Sequence, residues 1–264
     1  MIEQRWRYDG RRVVVTGCAS GIGAHVARQL TELGADVVGL DLQEMDLADA
    51  ESIDRAVASI GTGVDALFNI AGVSSGIGDP LRVVAVNFLG LRHLTEALTP
   101  SMPPGSAVVS VSSLAAAGYR EHQHEVAGLL NTTTMPEGID WCRRNPDALT
   151  GGGYRLAKEA VILYTMKSAA ALGARGIRIN CTGPGVTETP ILDQLRSAYG
   201  QAYLDDIPKP LGRAAEPDEQ ASVLVFLNSR AASYISGQVI WVDGGAVAGA
   251  IAAELEEGSA SWPA

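Results

Sequence analysis

Apolar and polar positions follow two rhythms along this chain. Short apolar runs at 12–16, 36–40, 65–70, 107–111, 176–181 and 238–242 predict strands, the first a β-branched run fit for burial on both faces. Between them the spacing turns helical. In 21–33, Ile22, Val26, Leu30 and Leu33 share one face, and Gly34 predicts the stop. Further helices are predicted at 52–60, 81–98, 154–172 and 217–227. Such alternation predicts an α/β fold, a parallel sheet covered by helices on both faces.

Two stretches break the rhythm. Residues 114–153 separate a strand from its expected helix by far more than an ordinary connection, which predicts an insertion. Residues 246–264 read as a C-terminal tail, rich in small residues and then acidic. No Pro/Gly/Ser linker divides compositionally different parts, so 1–264 is expected to be a single domain.

Composition narrows the function classes. The 264 residues are 47% hydrophobic, enough for a sizeable core. A net charge of -10 with no basic stripe argues against nucleic acid as a partner. Cys18, Cys142 and Cys181 have neither metal-ligand nor disulfide spacing, so no metal and a reducing compartment are expected. No apolar run is long enough to span a bilayer, and the opening residues lack the apolar segment of a signal peptide. A soluble, cytoplasmic protein with no membrane partner is expected.

The first candidate site lies between the first strand and first helix, at Thr16-Gly17-Cys18-Ala19-Ser20-Gly21-Ile22-Gly23. Three glycines permit a tight turn and close backbone approach, and the helix N-terminus offers free N–H groups to a pyrophosphate. Cys18 reads as a small residue that suits a crowded turn. Asp41, followed by Leu42, ends the second strand. A carboxylate there accepts from ribose hydroxyls and repels a 2′-phosphate, and no Arg or Lys occupies 18–20 or 42–43, so NAD is the expected cofactor.

The second is Tyr154-Arg155-Leu156-Ala157-Lys158, which puts a phenol and an ammonium one helical turn apart. A phenol with a pKa of about 10 is a poor base at neutral pH; a nearby cation stabilises its phenolate. Ser112-Ser113 follows the strand at 107–111, at the sheet edge where ligands of open parallel sheets bind. Asn87 lies inside the long helix at 81–98, where it either satisfies its own helix or kinks it and holds water. Asn69-Ile70-Ala71-Gly72 ends a strand with small residues that leave room for a nucleoside. Pro184-Gly185-Val186-Thr187-Glu188-Thr189 offers backbone and hydroxyl groups to a carboxamide.

In this order the motifs resemble the short-chain dehydrogenase/reductase family over about residues 11–245. The resemblance implies a single Rossmann-type, doubly wound parallel sheet of about seven strands. It implies Tyr154 as general acid/base and Lys158 as the residue that lowers its pKa and holds the nicotinamide ribose. Ser113 would bind the substrate oxygen, and Asn87 a relay water. Asp46-Leu47 looks like the family's acid–aliphatic pair beside the adenine, and Thr187 or Thr189 would meet the carboxamide. In the family the tyrosine helix commonly packs on a partner subunit; an insertion ahead of it favours a homodimer over a homotetramer.

Ser113 and Tyr154 lie farther apart than the family usually places them. The insertion, with Thr187-Glu188-Thr189-Pro190-Ile191-Leu192, resembles the coniferyl-alcohol dehydrogenase and 3α-hydroxysteroid dehydrogenase/carbonyl reductase branch. The implied substrate is an aromatic allylic or benzylic alcohol, with a hydroxysteroid or carbonyl compound as the alternative. Ile191, Leu192, Leu195, Tyr199 and Tyr203 are expected either to wall its pocket or to pack a lid helix on the core. A non-catalytic NAD-binding sensor is the reading of another class.

Overall fold

The computed structural model of the protein describes residues 3–256; the first two residues and 257–264 of the expected tail lie outside the described residues. Strands β1 (Arg12–Thr16), β2 (Asp36–Leu40), β3 (Ala66–Asn69), β4 (Ala107–Val111), β5 (Arg178–Pro184) and β6 (Val239–Val242) form one sheet. Its order is β2-β1-β3-β4-β5-β6, and every neighbouring pair is parallel. The described residues thus hold six strands rather than about seven. The connection at 42–49 is a chain of turns leading straight from β2 into the next helix, too short to hold a further helix–strand unit.

The helices are α1 (Gly21–Glu32), α2 (Ala50–Ile60), α3 (Pro80–Val84), α4 (Leu91–Leu98), α5 (Gln123–Leu130), α6 (Met135–Arg144), α7 (Tyr154–Gly173), α8 (Pro190–Tyr199), α9 (Gln201–Asp205), α10 (Pro217–Asn228) and α11 (Ala246–Glu256). The strand pleat sends alternate side chains to opposite faces. Val13, Val15, Phe68 and Val109 pack with Val26 and Leu30 of α1 and Leu224 of α10. Val14, Leu67, Val108 and Ile179 pack on the other face with Ile53 of α2, Leu94 of α4 and Leu156 and Val161 of α7. Each such apolar side chain, fully buried, stabilises the fold by about 1.5–3 kcal/mol before entropy is counted.

The helix expected at 81–98 is not uniform. Asp79 caps its start by accepting from the Arg82 N–H at 3.0 Å, and between α3 and α4 the segment Ala85–Gly90 widens into a π-helix. Residues 114–153 are largely helical. Their Ala116, Tyr119, Val126, Leu129, Met135 and Cys142 join the core beneath α7, with α5 lying on α7 and α6 on the π-helix. The expected tail starts as a regular helix, α11, of which only Ala246 is buried. Among the described residues no helix is long and apolar enough to cross a membrane.

Candidate active site

Strand order reverses around β1, whose neighbours β2 and β3 are reached by crossovers in opposite directions. The strand C-termini there open a crevice, the usual ligand position in a doubly wound sheet. A cavity of about 490 Å³ occupies it.

The glycine loop forms one wall. Gly17 has φ +71°, and a Cβ on it would lie 2.9 Å from the Ala71 Cα. A Cβ on Gly23 would lie 2.0 Å from the Gly17 carbonyl oxygen, so the turn closes only with glycine at both positions. Ser20, the N-cap of α1, makes no side-chain capping bond. First-turn N–H groups of α1 are thereby left to an anionic ligand. Asp41 fixes the loop: its Oδ2 accepts from the Ala19 N–H at 2.9 Å and its Oδ1 from the Leu42 N–H at 2.8 Å. Cys18 is a packing residue, since a Cβ on Gly39 would meet its Sγ at 2.8 Å, and burial pushes its thiol pKa up.

The opposite wall joins β4 to α7. Tyr154 opens α7 behind Gly153, whose φ of +74° turns the chain into the helix. Lys158 follows one turn on, only 4% exposed, its Nζ donating to the Val111 carbonyl at 2.9 Å and lying 5.6 Å from the Tyr154 ring centroid. Burial brings its ammonium down to about 8. The Tyr154 phenol is raised, chiefly by burial, while a hydrogen bond with Ser113 pulls it the other way. The lowering expected from Lys158 is therefore not what dominates in the chain by itself; burial does.

The two serines part company. Both line the cavity, but Ser112 is buried and donates its hydroxyl to the Lys158 carbonyl at 2.7 Å, whereas Ser113 hydrogen-bonds with Tyr154. Asn87 is fully buried in the π-helix. Its Nδ2 donates to the Val73 carbonyl at 2.8 Å and its Oδ1 accepts from the Val73 N–H at 2.9 Å.

Sequence comparisons place these features in a family. A model described as the NAD dependent epimerase/dehydratase family matches residues 13–183, and one described as enoyl-(acyl carrier protein) reductase matches 148–247. The coniferyl-alcohol dehydrogenase of Pseudomonas sp. (strain HR199 / DSM 7063) is 37% identical over 248 residues, covering 89% of this chain and 96% of that protein. The chain belongs to the short-chain dehydrogenase/reductase family. The 3-alpha-hydroxysteroid dehydrogenase/carbonyl reductase of Comamonas testosteroni is 34% identical, covering 88% and 95% of the two chains. Among solved structures, the 3-alpha-hydroxysteroid dehydrogenase from Pseudomonas sp. B-0831 complexed with NADH superposes with a TM-score of 0.79 at 30% identity, covering 95% of this chain and 100% of that one. The protein is accordingly an NAD(P)-dependent oxidoreductase of this family, acting on CH–OH groups.

The residues present fit the family's dinucleotide: an uncapped helix N-terminus, a loop with no room for a Cβ at Gly17 or Gly23, and a carboxylate at its far end. Of the residues expected from sequence, Gly17, Ser20, Gly21, Ile22, Gly23, Asp41, Ala71, Gly72, Ser113, Tyr154, Lys158, Pro184, Gly185, Val186, Thr187 and Thr189 all line the one cavity.

Five others do not. Leu42 is 64% exposed and is not part of the cavity lining. Asp46 pairs with Arg82 at 3.1 Å and also accepts from the Ala48 N–H, while Leu47 is buried in the core. Neither lines the cavity, because the short 42–49 connection turns them back toward α3 and the π-helix. Asn69 points into the core, donating to Thr95 at 2.9 Å and Ser110 at 3.3 Å, and so ties β3 to α4 and β4. Asn87 lies behind the wall, its side-chain amide bonded to the Val73 backbone.

Of the expected pocket residues, Ile191, Leu192, Leu195 and Tyr203 line the cavity, whereas Tyr199 lies outside it and donates to Ser75 Oγ at 3.0 Å. Sequence reasoning missed Ser75, Leu114, Ala115, Gln194 and Ile207, which also line it. None sits in a motif. Only the helical spacing from Ile191 hinted that Gln194 shares a face with Ile191 and Leu195.

Proposed function

We propose that the protein is an NAD-dependent dehydrogenase that interconverts an alcohol and its aldehyde or ketone, most suitably an aromatic allylic or benzylic alcohol of the coniferyl type. The observation that carries this reading is the joint exposure of Ser113, Tyr154 and Lys158 to the cavity that the glycine loop also lines. Bound nicotinamide would supply the hydride acceptor or donor.

The chain's own groups would do the rest. Ser113 would hold the substrate oxygen by a hydrogen bond. Tyr154 would take the hydroxyl proton in oxidation and return it in reduction. Lys158 would favour the phenolate through its charge. Asp41 and the glycine loop would hold the adenosine end. Asp41 and Lys158 are the charged groups among the described residues lining the cavity, and a 2′-phosphate would meet the carboxylate with no basic side chain beside it. That supports NAD over NADP.

Thr187 and Thr189 would meet the carboxamide; the Thr187 hydroxyl donates to the Gly185 carbonyl at 3.0 Å, which holds it at the cavity wall. The apolar wall from Ile191, Leu192, Leu195 and Ile207 suits a planar ring. A hydroxysteroid is the second reading, supported by the fold-wide likeness to the 3-alpha-hydroxysteroid dehydrogenase. Assembly as a homodimer is supported by α5 covering part of α7, the helix that would otherwise be free to pair. The three free cysteines are in keeping with a cytoplasmic protein.

NADH absorbance over a panel of allylic, benzylic and steroid alcohols, run with NAD and with NADP, tests activity, cofactor and substrate class together. Tyr154→Phe is expected to abolish turnover while NADH binding, read by fluorescence, stays. Turnover that survives the substitution overturns the mechanism. Light scattering is expected to show a dimer; a tetramer built through α7 would refute that assembly.

A further inference from the structure

The part of the cavity beyond Ser113 and Tyr154 contains no charge. Its wall is Ser75, Ile191, Leu192, Leu195, Tyr203 and Ile207, all neutral. The one cation among the described residues lining the cavity is Lys158, and its Nζ is buried and committed to the Val111 carbonyl. A carboxylate carried by the substrate would therefore leave water and find no partner, a costly transfer.

One polar group in this wall is held in a fixed orientation. Ser74 is fully buried; its Oγ accepts from the Gly76 N–H at 3.2 Å and donates to Gln194 Oε1 at 3.0 Å. The amide oxygen of Gln194 is thus in use. Gln194 lines the cavity from an exposed position, and its Nε2 meets no protein acceptor among the described residues. A donor amide tethered at the open side of a neutral wall rewards an acceptor oxygen and gives nothing to a hydrocarbon.

We propose that the site selects uncharged aromatic alcohols and that Gln194 is a specificity-determining residue that donates through Nε2 to an acceptor oxygen on the far side of the substrate ring. This rests on the alcohol-dehydrogenase reading above. Ser74 is the positioning residue that holds the amide. Substrates with a phenolic or methoxy oxygen gain from the contact; those with a ring carboxylate are excluded.

The test uses three compounds of one shape: coniferyl alcohol, cinnamyl alcohol without ring oxygens, and 4-carboxycinnamyl alcohol. For the wild-type protein kcat/KM for the carboxylate is expected to be at least about a hundredfold below that for coniferyl alcohol. Gln194→Leu is expected to raise KM for coniferyl alcohol by about three- to tenfold, with kcat and the cinnamyl alcohol constants unchanged. Gln194→Arg is expected to raise kcat/KM for the carboxylate by about tenfold or more.

Binding of the same compounds to Tyr154→Phe protein, followed by calorimetry in the presence of NADH, reads the selectivity without turnover. If none of the compounds is oxidised but the binding order holds, the dehydrogenase reading fails and the selectivity stands. A carboxylate bound or turned over within about threefold of coniferyl alcohol overturns the inference. So does a Gln194→Leu effect equal for all three compounds.

Discussion

Ser112 and Lys158 are stitched together across the active-site wall. The Ser112 hydroxyl donates to the Lys158 carbonyl at 2.7 Å, and the Lys158 ammonium returns across the same junction to the Val111 carbonyl at 2.9 Å. This pair joins the end of β4 to the first turns of α7 and turns Ser113, not Ser112, toward Tyr154. Ser113→Ala is expected to lower kcat/KM by about 10²–10³ with little change in Tm. Ser112→Ala is expected to cost about 1–2 kcal/mol of stability, with a smaller loss of turnover. Steady-state kinetics beside thermal melts checks both, and a larger kinetic loss for Ser112→Ala would reverse the assignment.

Lys158 also sets a pH dependence. Burial lowers its ammonium from the ordinary 10.5 to about 8. Between those values the folded chain has lost a proton that the unfolded chain keeps, so stability rises with pH across the window. Below about 8 the folded state carries a buried charge that opposes folding. Lys158→Met removes this slope. The Tm of the wild-type protein is expected to gain on that of Lys158→Met as pH rises from about 8 toward 10.5. A constant difference between them would show that Lys158 is not titrating there.

Glu159, next to Lys158, anchors the 114–153 segment to the catalytic helix. It is fully buried, with Oε1 2.7 Å from His122 Nδ1 and Oε2 2.7 Å from an Arg155 nitrogen, while Arg155 also reaches Glu125 at 2.7 Å. Removing the carboxylate takes away the partner of His122 and one of the two carboxylates that Arg155 bonds. Glu159→Ala is expected to cost on the order of 3 kcal/mol, measured by urea unfolding. Faster proteolysis within 114–153 is expected alongside it. An unchanged unfolding midpoint would remove the anchor role.

Asp41 has two tasks that one variant separates. It holds Ala19 in the glycine loop, and it presents a carboxylate to the cavity. Asp41→Ser keeps an acceptor but removes the charge. The ratio of kcat/KM with NAD to that with NADP is expected to fall by about tenfold or more, mainly through the NADP term. A wild-type preference for NADP would sink the reading at once.

Much of this protein is written locally. The valine run of β1, the glycines at 17, 21 and 23, and the spacing of Tyr154 from Lys158 each act over one strand, one turn or one helical turn. Local rules therefore located the sheet, the phosphate loop and the catalytic pair. Distant pairings decided the rest. Ser112 and Ser113 are identical neighbours, and only the docking of α7 on β4 gives one the Lys158 carbonyl and the other Tyr154 as its partner. Asn69 looks like a ligand group until Thr95 and Ser110 draw it into the core. Asp46 and Leu47 occupy a motif position, yet a short connection sends one to Arg82 and the other beneath the π-helix. Gln194 carries no motif at all; its amide oxygen is tethered by Ser74, 120 residues earlier. A side chain's intrinsic chemistry is fixed by its type, but its direction and partner are set by which surfaces pack together, and that is decided only in three dimensions.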